Sequence, residues 1–453
     1  MRSSLFAATL VLASCASAVN PLREKLEQAL EELRSHENTG VISRRDSPTS
    51  ELQDTTINLV SIDIGTPPQS FKAIVDTGSY DAFLKAKECR DPSCVKDATY
   101  DGSKSSTFTT SAGPLVTLAY ADGTAVSGLA AKDSATIGGV TMSNFTFLRV
   151  LNYKQASTNV VAYTAMLGMG MPSSNATAGD LAGTLRKPSG SSLGRSVTGQ
   201  LSDAGVKPVF GLYPTLDGKP GSVTLGGIDA TKFSGDLTWV EVPTFANSSA
   251  IDPVMAAGTA GMWKAVMGAV KYPDGTENQV GGLPIVLDTG SSLSLFPQSF
   301  VTKLGQSIGG TLLTPAGSSG IQIYKISCDK VSTLQDLTLT LGGKTVSIPP
   351  SVYIQNSFVR GDPGCVLGFV SLGTEGALGG AALMGMNILR AFYTAWNWGD
   401  RQVAFARLSS PATPSGQPRS GTQGNTGYSL PALPMKASLA AALGAWLLQS
   451  VLV

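Results

Sequence analysis

Histidine is nearly absent. The 453 residues contain one, His36. If the segment around it is removed on maturation, the working protein has none. Hydrolases that activate a serine or cysteine through an imidazole are then excluded in their ordinary form. Cysteine is sparse too, five in all, with no Cys-x-x-Cys spacing. Without that spacing or histidine, a zinc site has no ligand set. Charge is scarce: 14% of residues are Asp, Glu, Lys or Arg, and the formal net charge is +1. Nothing in that balance marks a nucleic-acid binder. Low charge with 51 glycines and 25 prolines suits strands and turns, not a disordered or coiled chain.

The conspicuous apolar runs sit at the ends. Residues 1–18, MRSSLFAATLVLASCASA, place an arginine before a short apolar run and small residues Ala16 and Ala18 at its close. That order is the signature of a secretory signal peptide, and the run is short for a spanning helix. A buried N-terminal helix is the plainer alternative. In residues 19–45, Leu22, Leu26, Leu30 and Leu33 recur at helical spacing before Arg44-Arg45. We read a pro-segment cut after Arg45 by a dibasic-specific processing protease; an ordinary surface helix is the alternative.

Residues 409–427 are rich in Ser, Thr, Pro and Gly and read as an extended stalk. Residues 428–453 supply a spacer and an apolar tail that runs to the last residue. With small residues at Asn425, Thr426 and Gly427, this fits a glycolipid (GPI) transfer signal, with attachment expected at Asn425 and removal of the tail. A C-terminal membrane helix is the alternative, at the short limit for a span.

Cys15 leaves with the signal. Cys89, Cys94, Cys328 and Cys365 remain, an even count that argues for disulfides in a secreted chain. Three pairings exist, and proximity in sequence favours Cys89–Cys94 with Cys328–Cys365. Sequons at Asn144, Asn175 and Asn247 agree with a secretory route.

The body reads as β. Residues 57–79, INLVSIDIGTPPQSFKAIVDTGS, alternate, break at Gly65-Thr66-Pro67-Pro68 and resume into a strand ending at Asp76. Residues 115–139 form a strand pair with Asp122-Gly123 at its tip. Residues 221–229, 337–350 and 402–408 are further strand-and-turn segments. Helices are expected at Val197–Ala204 and Asn387–Phe392. Residues 172–195, rich in Ser, Gly and Ala, read as an exposed insertion.

One string is written twice: IVDTGSY at 74–80 and IVLDTGSS at 285–292. Each copy has an apolar-apolar-Gly echo downstream, AMLGMG at 165–170 and ALMGMN at 382–387. This is internal duplication, two related lobes each presenting one aspartate. Glycine lets the turned backbone approach closely, its N–H can bond the carboxylate, and Thr and Ser offer hydroxyls. If the lobes face each other, two carboxylates a few ångströms apart cannot both ionise cheaply and hold one proton between them. One then serves as base and the other as acid on a water, with no metal, cofactor or covalent intermediate. Proton sharing of this kind is the established behaviour of the aspartic protease pair, taken over here as a general pattern.

On these residues the chain resembles the pepsin family of two-lobed aspartic endopeptidases from about residue 57 to 408. The likeness rests on IDIGTPPQ, IVDTGS, LAYADGTAVSG, GSVTLGGID, IVLDTGSS and ALMGMNILRAFYTAWNWGDRQVAFA, in that order. It implies an all-β, two-lobed fold with the active-site cleft between an N-terminal lobe, 46–235, and a C-terminal lobe, 236–408. It implies Asp76 and Asp288 as catalytic pair, supported by Thr77, Gly78, Ser79, Thr289, Gly290 and Ser291, the two serines bonding the carboxylates through their hydroxyls. Tyr120 matches a tyrosine on a mobile hairpin, the flap; Asp122 and Gly123 would help hold the substrate, and the two disulfides match family bridges.

With its dibasic site and lipid signal, the chain is most similar to fungal surface-anchored, yapsin-type members. That likeness implies a monomer at the plasma membrane or cell wall, acting on polypeptides at acid pH, with a preference for basic residues to which Asp81 and Asp122 would contribute. Three positions depart from the pattern: Phe83 stands for a tryptophan, Tyr80 for a small residue, and Ala121 for the flap glycine. An inactive pepsin-fold surface binding or adhesion protein is the rival reading, but such a protein is expected to have lost an aspartate or a motif glycine, and both motifs are intact.

Overall fold

The computed structural model describes residues 58–409, apart from 92–93, 95–98, 111–112, 121–123, 155–162, 173–192, 194, 215–220, 244–260, 314–320, 357–363 and 373–380. The signal peptide, the pro-segment with Arg45, almost all of the stalk, Asn425, Asn175, Asn247 and the flap tip at Ala121, Asp122 and Gly123 lie outside the described residues, as does most of the expected insertion.

Strands dominate, as expected. The first eight are β1 (Leu59–Ile64), β2 (Gln69–Asp76), β3 (Phe83–Lys85), β4 (Thr109–Thr110), β5 (Val116–Ala119), β6 (Ala125–Ile137), β7 (Val140–Lys154) and β8 (Ala165–Gly168). They form one sheet in the order β1-β2-β8-β3-β7-β6-β4, with β5 on β6. β1 also pairs with β6, so the sheet curls back on itself. β1 and β2 are the arms of the hairpin read at Gly65–Pro68, in register from Leu59 opposite Ile74 to Ile64 opposite Gln69. The last four residues of β2 are all buried, as a strand covered on both faces requires.

Helix α1 (Val197–Asp203) follows, with Ser196 capping it by accepting the Gly199 N–H. Next come β9 (Val209–Tyr213), β10 (Ser222–Leu225) and β11 (Phe233–Glu241). The second half holds β12 (Lys264–Lys271), β13 (Glu277–Leu287), β14 (Ser294–Leu295), α2 (Gln298–Ser307), β15 (Thr311–Leu312), β16 (Tyr324–Ile326), β17 (Leu337–Leu341), β18 (Lys344–Ile348), α3 (Pro350–Tyr353), β19 (Ile354–Asn356), β20 (Cys365–Leu367), β21 (Phe369–Val370) and β22 (Ala382–Met384). Seven of these make a sheet in the order β18-β17-β12-β13-β22-β14-β21, and four make β15-β16-β20-β19. The chain ends with α4 (Met386–Leu389), β23 (Phe392–Asn397) and β24 (Gln402–Leu408).

The last two strands return to the middle of the chain. A five-stranded sheet, β10-β9-β23-β24-β11, is therefore built from both halves. Phe210, Trp263 and Trp396 pack at its heart, with ring centroids 5.3–6.3 Å apart, and all three are fully buried. Trp263 Nε1 donates to the Met169 carbonyl at 2.9 Å, tying the second half to the segment after β8.

Two helix expectations resolve differently. Val197–Ala204 is α1, less its last residue. Asn387–Phe392 is helical only at its start: α4 is a single turn, Met386–Leu389, and Phe392 opens β23. The aromatic and β-branched run Phe392-Tyr393-Thr394 prefers a ladder, and β23 finds one on both sides, with β9 and β24. The ten-residue α2 was not foreseen; Phe300, Val301 and Leu304 form its buried face.

The disulfides join Cys89 to Cys94 and Cys328 to Cys365, with Cα–Cα distances of 6.1 and 5.2 Å. Asn144 is exposed on β7. No helix among the described residues is long and apolar enough to cross a membrane.

Candidate active site

Each copy of the repeated string folds alike. β2 runs parallel to β8, and its last residue, Asp76, is opposite Gly168. β13 runs parallel to β22 up to Leu287, one residue before Asp288. After each Asp-Thr-Gly turn the chain re-enters as a short strand on the other side of the same partner, β3 antiparallel to β8 and β14 antiparallel to β22. The two apolar echoes are thus the middle strands that the two motif loops straddle. Asp76 and Asp288 stand at strand ends, where side chains leave the sheet.

The loops meet. Thr77 N–H donates to Thr289 Oγ1 and Thr289 N–H to Thr77 Oγ1, both at 3.0 Å. Each hydroxyl then donates across the junction, Thr77 to the Leu287 carbonyl at 2.8 Å and Thr289 to the Val75 carbonyl at 2.6 Å. Both threonines are completely buried. Four buried hydrogen bonds hold the loops in one mutual orientation, and leaving any of those groups unpaired is costly.

The aspartates are seated reciprocally. The Gly78 N–H donates to Asp76 Oδ1 and the Gly290 N–H to Asp288 Oδ1, each at 2.8 Å. Over each glycine lies the carboxylate of the other loop: a Cβ at Gly78 would be 2.4 Å from Asp288 Oδ1, and one at Gly290 2.4 Å from Asp76 Oδ1. Glycine is required at both places because any side chain would occupy the space of the facing carboxylate.

Burial pushes both carboxyls above the ordinary aspartate range. For Asp76 that rise is opposed first by the Ser79 hydroxyl, then by its hydrogen bond with Asp288 and by the Gly78 and Ser79 N–H groups. Asp288 is pushed well up, by burial, by the negative charge of Asp76 and by the hydrogen bond between them. Burial and mutual repulsion therefore hold one proton on the pair, shared through the hydrogen bond between the two carboxyls. Such a pair takes a proton from water at one oxygen and delivers one at another.

Ser291 departs from expectation. Its hydroxyl donates to the Leu293 carbonyl at 3.1 Å, and it is the Ser291 N–H that faces Asp288. The residue spacing matches the first loop, but a different backbone acceptor captures the hydroxyl. The Tyr120 N–H donates to the Thr124 carbonyl at 2.8 Å. The Tyr120 ring meets Phe83, which stands for the family's tryptophan, edge-on with centroids 5.9 Å apart. Tyr80 lies against Gly170 and Gly261. Asp81 does not face solvent: it is buried and accepts the Leu193 N–H at 2.9 Å.

Lys85 was not foreseen. It is 3% exposed, with Nζ 4.3 and 4.7 Å from the ring centroids of Tyr153 and Tyr163. Desolvation brings its amine down to about 8. The one available signal was a lysine inside the apolar run Ala82-Phe83-Leu84 and Ala86.

Comparison with known proteins fits this geometry. The family model for "Eukaryotic aspartyl protease" matches residues 59–408, a span that contains both motifs. The chain is 27% identical over 349 residues to "Probable vacuolar protease A" of Arthroderma benhamiae (76% of this chain, 77% of that protein). It is 28% identical over 351 residues to "Cathepsin D" of Gallus gallus (76% and 79%). It is 27% identical over 352 residues to "Pepsin A" of Canis lupus familiaris (77% and 80%).

Proposed function

Because the chain belongs to the eukaryotic aspartyl protease family and is an aspartic endopeptidase, we propose that Asp76 and Asp288 are its catalytic pair. Asp76, held as the carboxylate by the Ser79 hydroxyl and the Gly78 N–H, is the base that takes a proton from water. Asp288, which keeps the shared proton, polarises the scissile carbonyl and stabilises the oxygen as it becomes tetrahedral. The proton gained by Asp76 then goes to the leaving nitrogen. Thr77 and Thr289 fix the distance between the two acids. Tyr120, Asp122 and Gly123 belong to the flap that covers an extended peptide.

The reciprocal seating of each carboxylate over the opposite glycine carries this reading. Asp76→Asn and Asp288→Asn, with the fold intact by circular dichroism, are each expected to lower peptide hydrolysis by about 10³-fold or more. Parent-level activity in either variant sinks the assignment. Activity should fall as pH rises past the point where Asp288 loses the shared proton, so an acid optimum is expected.

The finer reading has other supports. The leader pattern, the three sequons, the stalk and the C-terminal tail support a surface enzyme, lipid-anchored near Asn425, with lobes at 46–235 and 236–408 and a pro-segment cut after Arg45. Release from membranes by phosphatidylinositol-specific phospholipase tests the anchor; retention favours a spanning tail. A preference for basic residues now leans on Asp122, since the Asp81 carboxylate is engaged by the Leu193 N–H. A peptide-library cleavage profile of the parent and Asp122→Asn tests it.

A further inference from the structure

The loop that carries Asp288 is pinned at three points by one short segment. The Asp288 N–H donates to the Met384 carbonyl at 2.9 Å, and the Met386 N–H donates to the Ser291 carbonyl at 2.7 Å. Between them, the Gly385 N–H donates to Ser294 Oγ at 3.0 Å. The third pin is a side chain, and it needs an orientation. Ser294 Oγ acquires one by donating its proton to Asn387 Oδ1 at 2.7 Å, which leaves a lone pair for Gly385. Asn387 Nδ2 in turn donates to the Gly368 carbonyl at 2.6 Å, and Gln355 Nε2 donates to the Asn387 carbonyl at 3.1 Å. Ser294, Gln355 and Asn387 are 0, 3 and 2% exposed. Gln355 Oε1 is left without a partner, but both amide atoms of Asn387 and the Ser294 hydroxyl are engaged, and buried polar bonds of this kind restrict the geometry strongly.

The first repeat has no such device. Ala82 holds the place of Ser294, counted from each aspartate, and Gly170 holds the place of Asn387, counted from each apolar-apolar-Gly. There the segment is held to the Asp76 loop by backbone bonds alone, Met169 N–H to the Asp76 carbonyl at 2.7 Å and Gly170 N–H to the Ser79 carbonyl at 3.0 Å, with the Thr198 hydroxyl of α1 on the Gly170 carbonyl from outside.

We propose that Asn387 is a positioning residue for Asp288: its amide orients Ser294 and anchors the 384–387 segment to Gly368, and so sets where the Asp288 carboxyl points. The proposal rests on the reading of Asp288 as catalytic. It does not require Asn387 to touch substrate. A carboxyl displaced by about 1 Å loses much of its catalytic effect while binding survives.

The test compares Asn387→Leu and Asn387→Asp with the parent on one peptide across pH. Active enzyme is counted by titration with a tight transition-state analogue. In Asn387→Leu, kcat should fall roughly tenfold or more at every pH while KM stays within about twofold. In Asn387→Asp, the neutral carboxyl reproduces both bonds: its O–H donates to Gly368 and its C=O accepts from Ser294. That variant should approach parental kcat at the acid end and lose it as the new acid ionises, adding a proton dependence the parent lacks. Ser294, Gly368 and Gln355 carry no ionisable group; Arg390, on the same turn, is cationic throughout. A folded Asn387→Leu with kcat within twofold of the parent overturns the proposal. Should that variant not fold, an Asn387→Asp profile superimposable on the parent's overturns it. An inactive parent in the same assay would remove the catalytic reading itself, and with it this one.

Discussion

The two Asp-Thr-Gly loops are alike in their bonds for three residues and then part. Through Asp, Thr and Gly they mirror each other bond for bond: two threonine hydroxyls exchanged, two glycine N–H groups on their own aspartates, two carboxylates over the opposite glycines. At the serine the symmetry fails: the Ser79 hydroxyl sits beside Asp76, where it lowers that carboxyl's pKa, and reaches Met166 Sδ at 3.8 Å, while the Ser291 hydroxyl turns to the Leu293 carbonyl. Beyond it, the first loop runs through Phe83 and Lys85 into the aromatic group under the flap. The second runs through Pro297 into α2. Symmetric contacts make two acids meet; on the proposed mechanism, asymmetric ones bias which of them keeps the proton. A fully symmetric pair would share it equally and have no assigned base.

The symmetric part breaks most visibly at its glycines. Gly78→Ala and Gly290→Ala each put a methyl 2.4 Å from the facing carboxylate, about 1 Å inside contact. The carboxylate has to move, and kcat/KM should drop by about 10³-fold, or about 4 kcal/mol. The two losses should agree within a few-fold. If one alanine is tolerated and the other is not, the reciprocal seating is wrong.

That symmetric core was the legible part of the sequence. Two copies of an apolar-apolar-Asp-Thr-Gly-Ser string, each with its apolar-apolar-Gly echo, announce two strand–turn units whatever lies between. Alternation exposed β1, β2 and β24, and Cys89 lies close enough to Cys94 to suggest its partner. What stayed hidden depends on distant contacts. Nothing near Thr77 says that its hydroxyl lies under Leu287, 210 residues away. Asp81 reads as an acid free to meet a basic substrate until Leu193 comes back to meet it. Ser294 and Asn387 look like stray polar residues until Gly385 and Gly368 are placed between them. Asn387–Phe392 misled because α4 is one turn long, too short for a period to show.

The asymmetric part can be sharpened at Lys85, whose counterpart at the same distance past the second aspartate is Pro297. A lysine buried on two tyrosine rings has its amine near 8 against an ordinary 10.5. With the folded value depressed, the charged form disfavours the folded state. The penalty is complete below about pH 8, shrinks between 8 and 10.5, and vanishes above. Lys85→Met should therefore stabilise the protein at acid and neutral pH, by on the order of 3 kcal/mol less whatever the ring contacts contribute. The gain should fade in alkali. Urea titrations at about pH 5 and about pH 10 read the difference. Equal stability of parent and variant at the acid end would mean that the ammonium is adequately solvated.

The smallest effect is the most informative about the proton. On the proposed mechanism Asp76 must be ionised to act as base, so its titration sets the acid limb of the pH–kcat/KM profile. The Ser79 hydroxyl is the first influence holding Asp76 down against burial. Ser79→Ala removes it, Asp76 binds its proton more tightly, and the acid limb should move to higher pH by about 0.5–1 unit, roughly 1 kcal/mol. Ser291→Ala removes a hydroxyl bonded to a carbonyl and leaves the Ser291 N–H on Asp288, so the limb should stay put. Equal shifts in the two alanine variants would mean that the serines serve their aspartates identically, and the proton would then have no preferred home. A shift in Ser79→Ala alone ties the direction of catalysis to the fourth residue of each motif, the first place where the two copies stop agreeing.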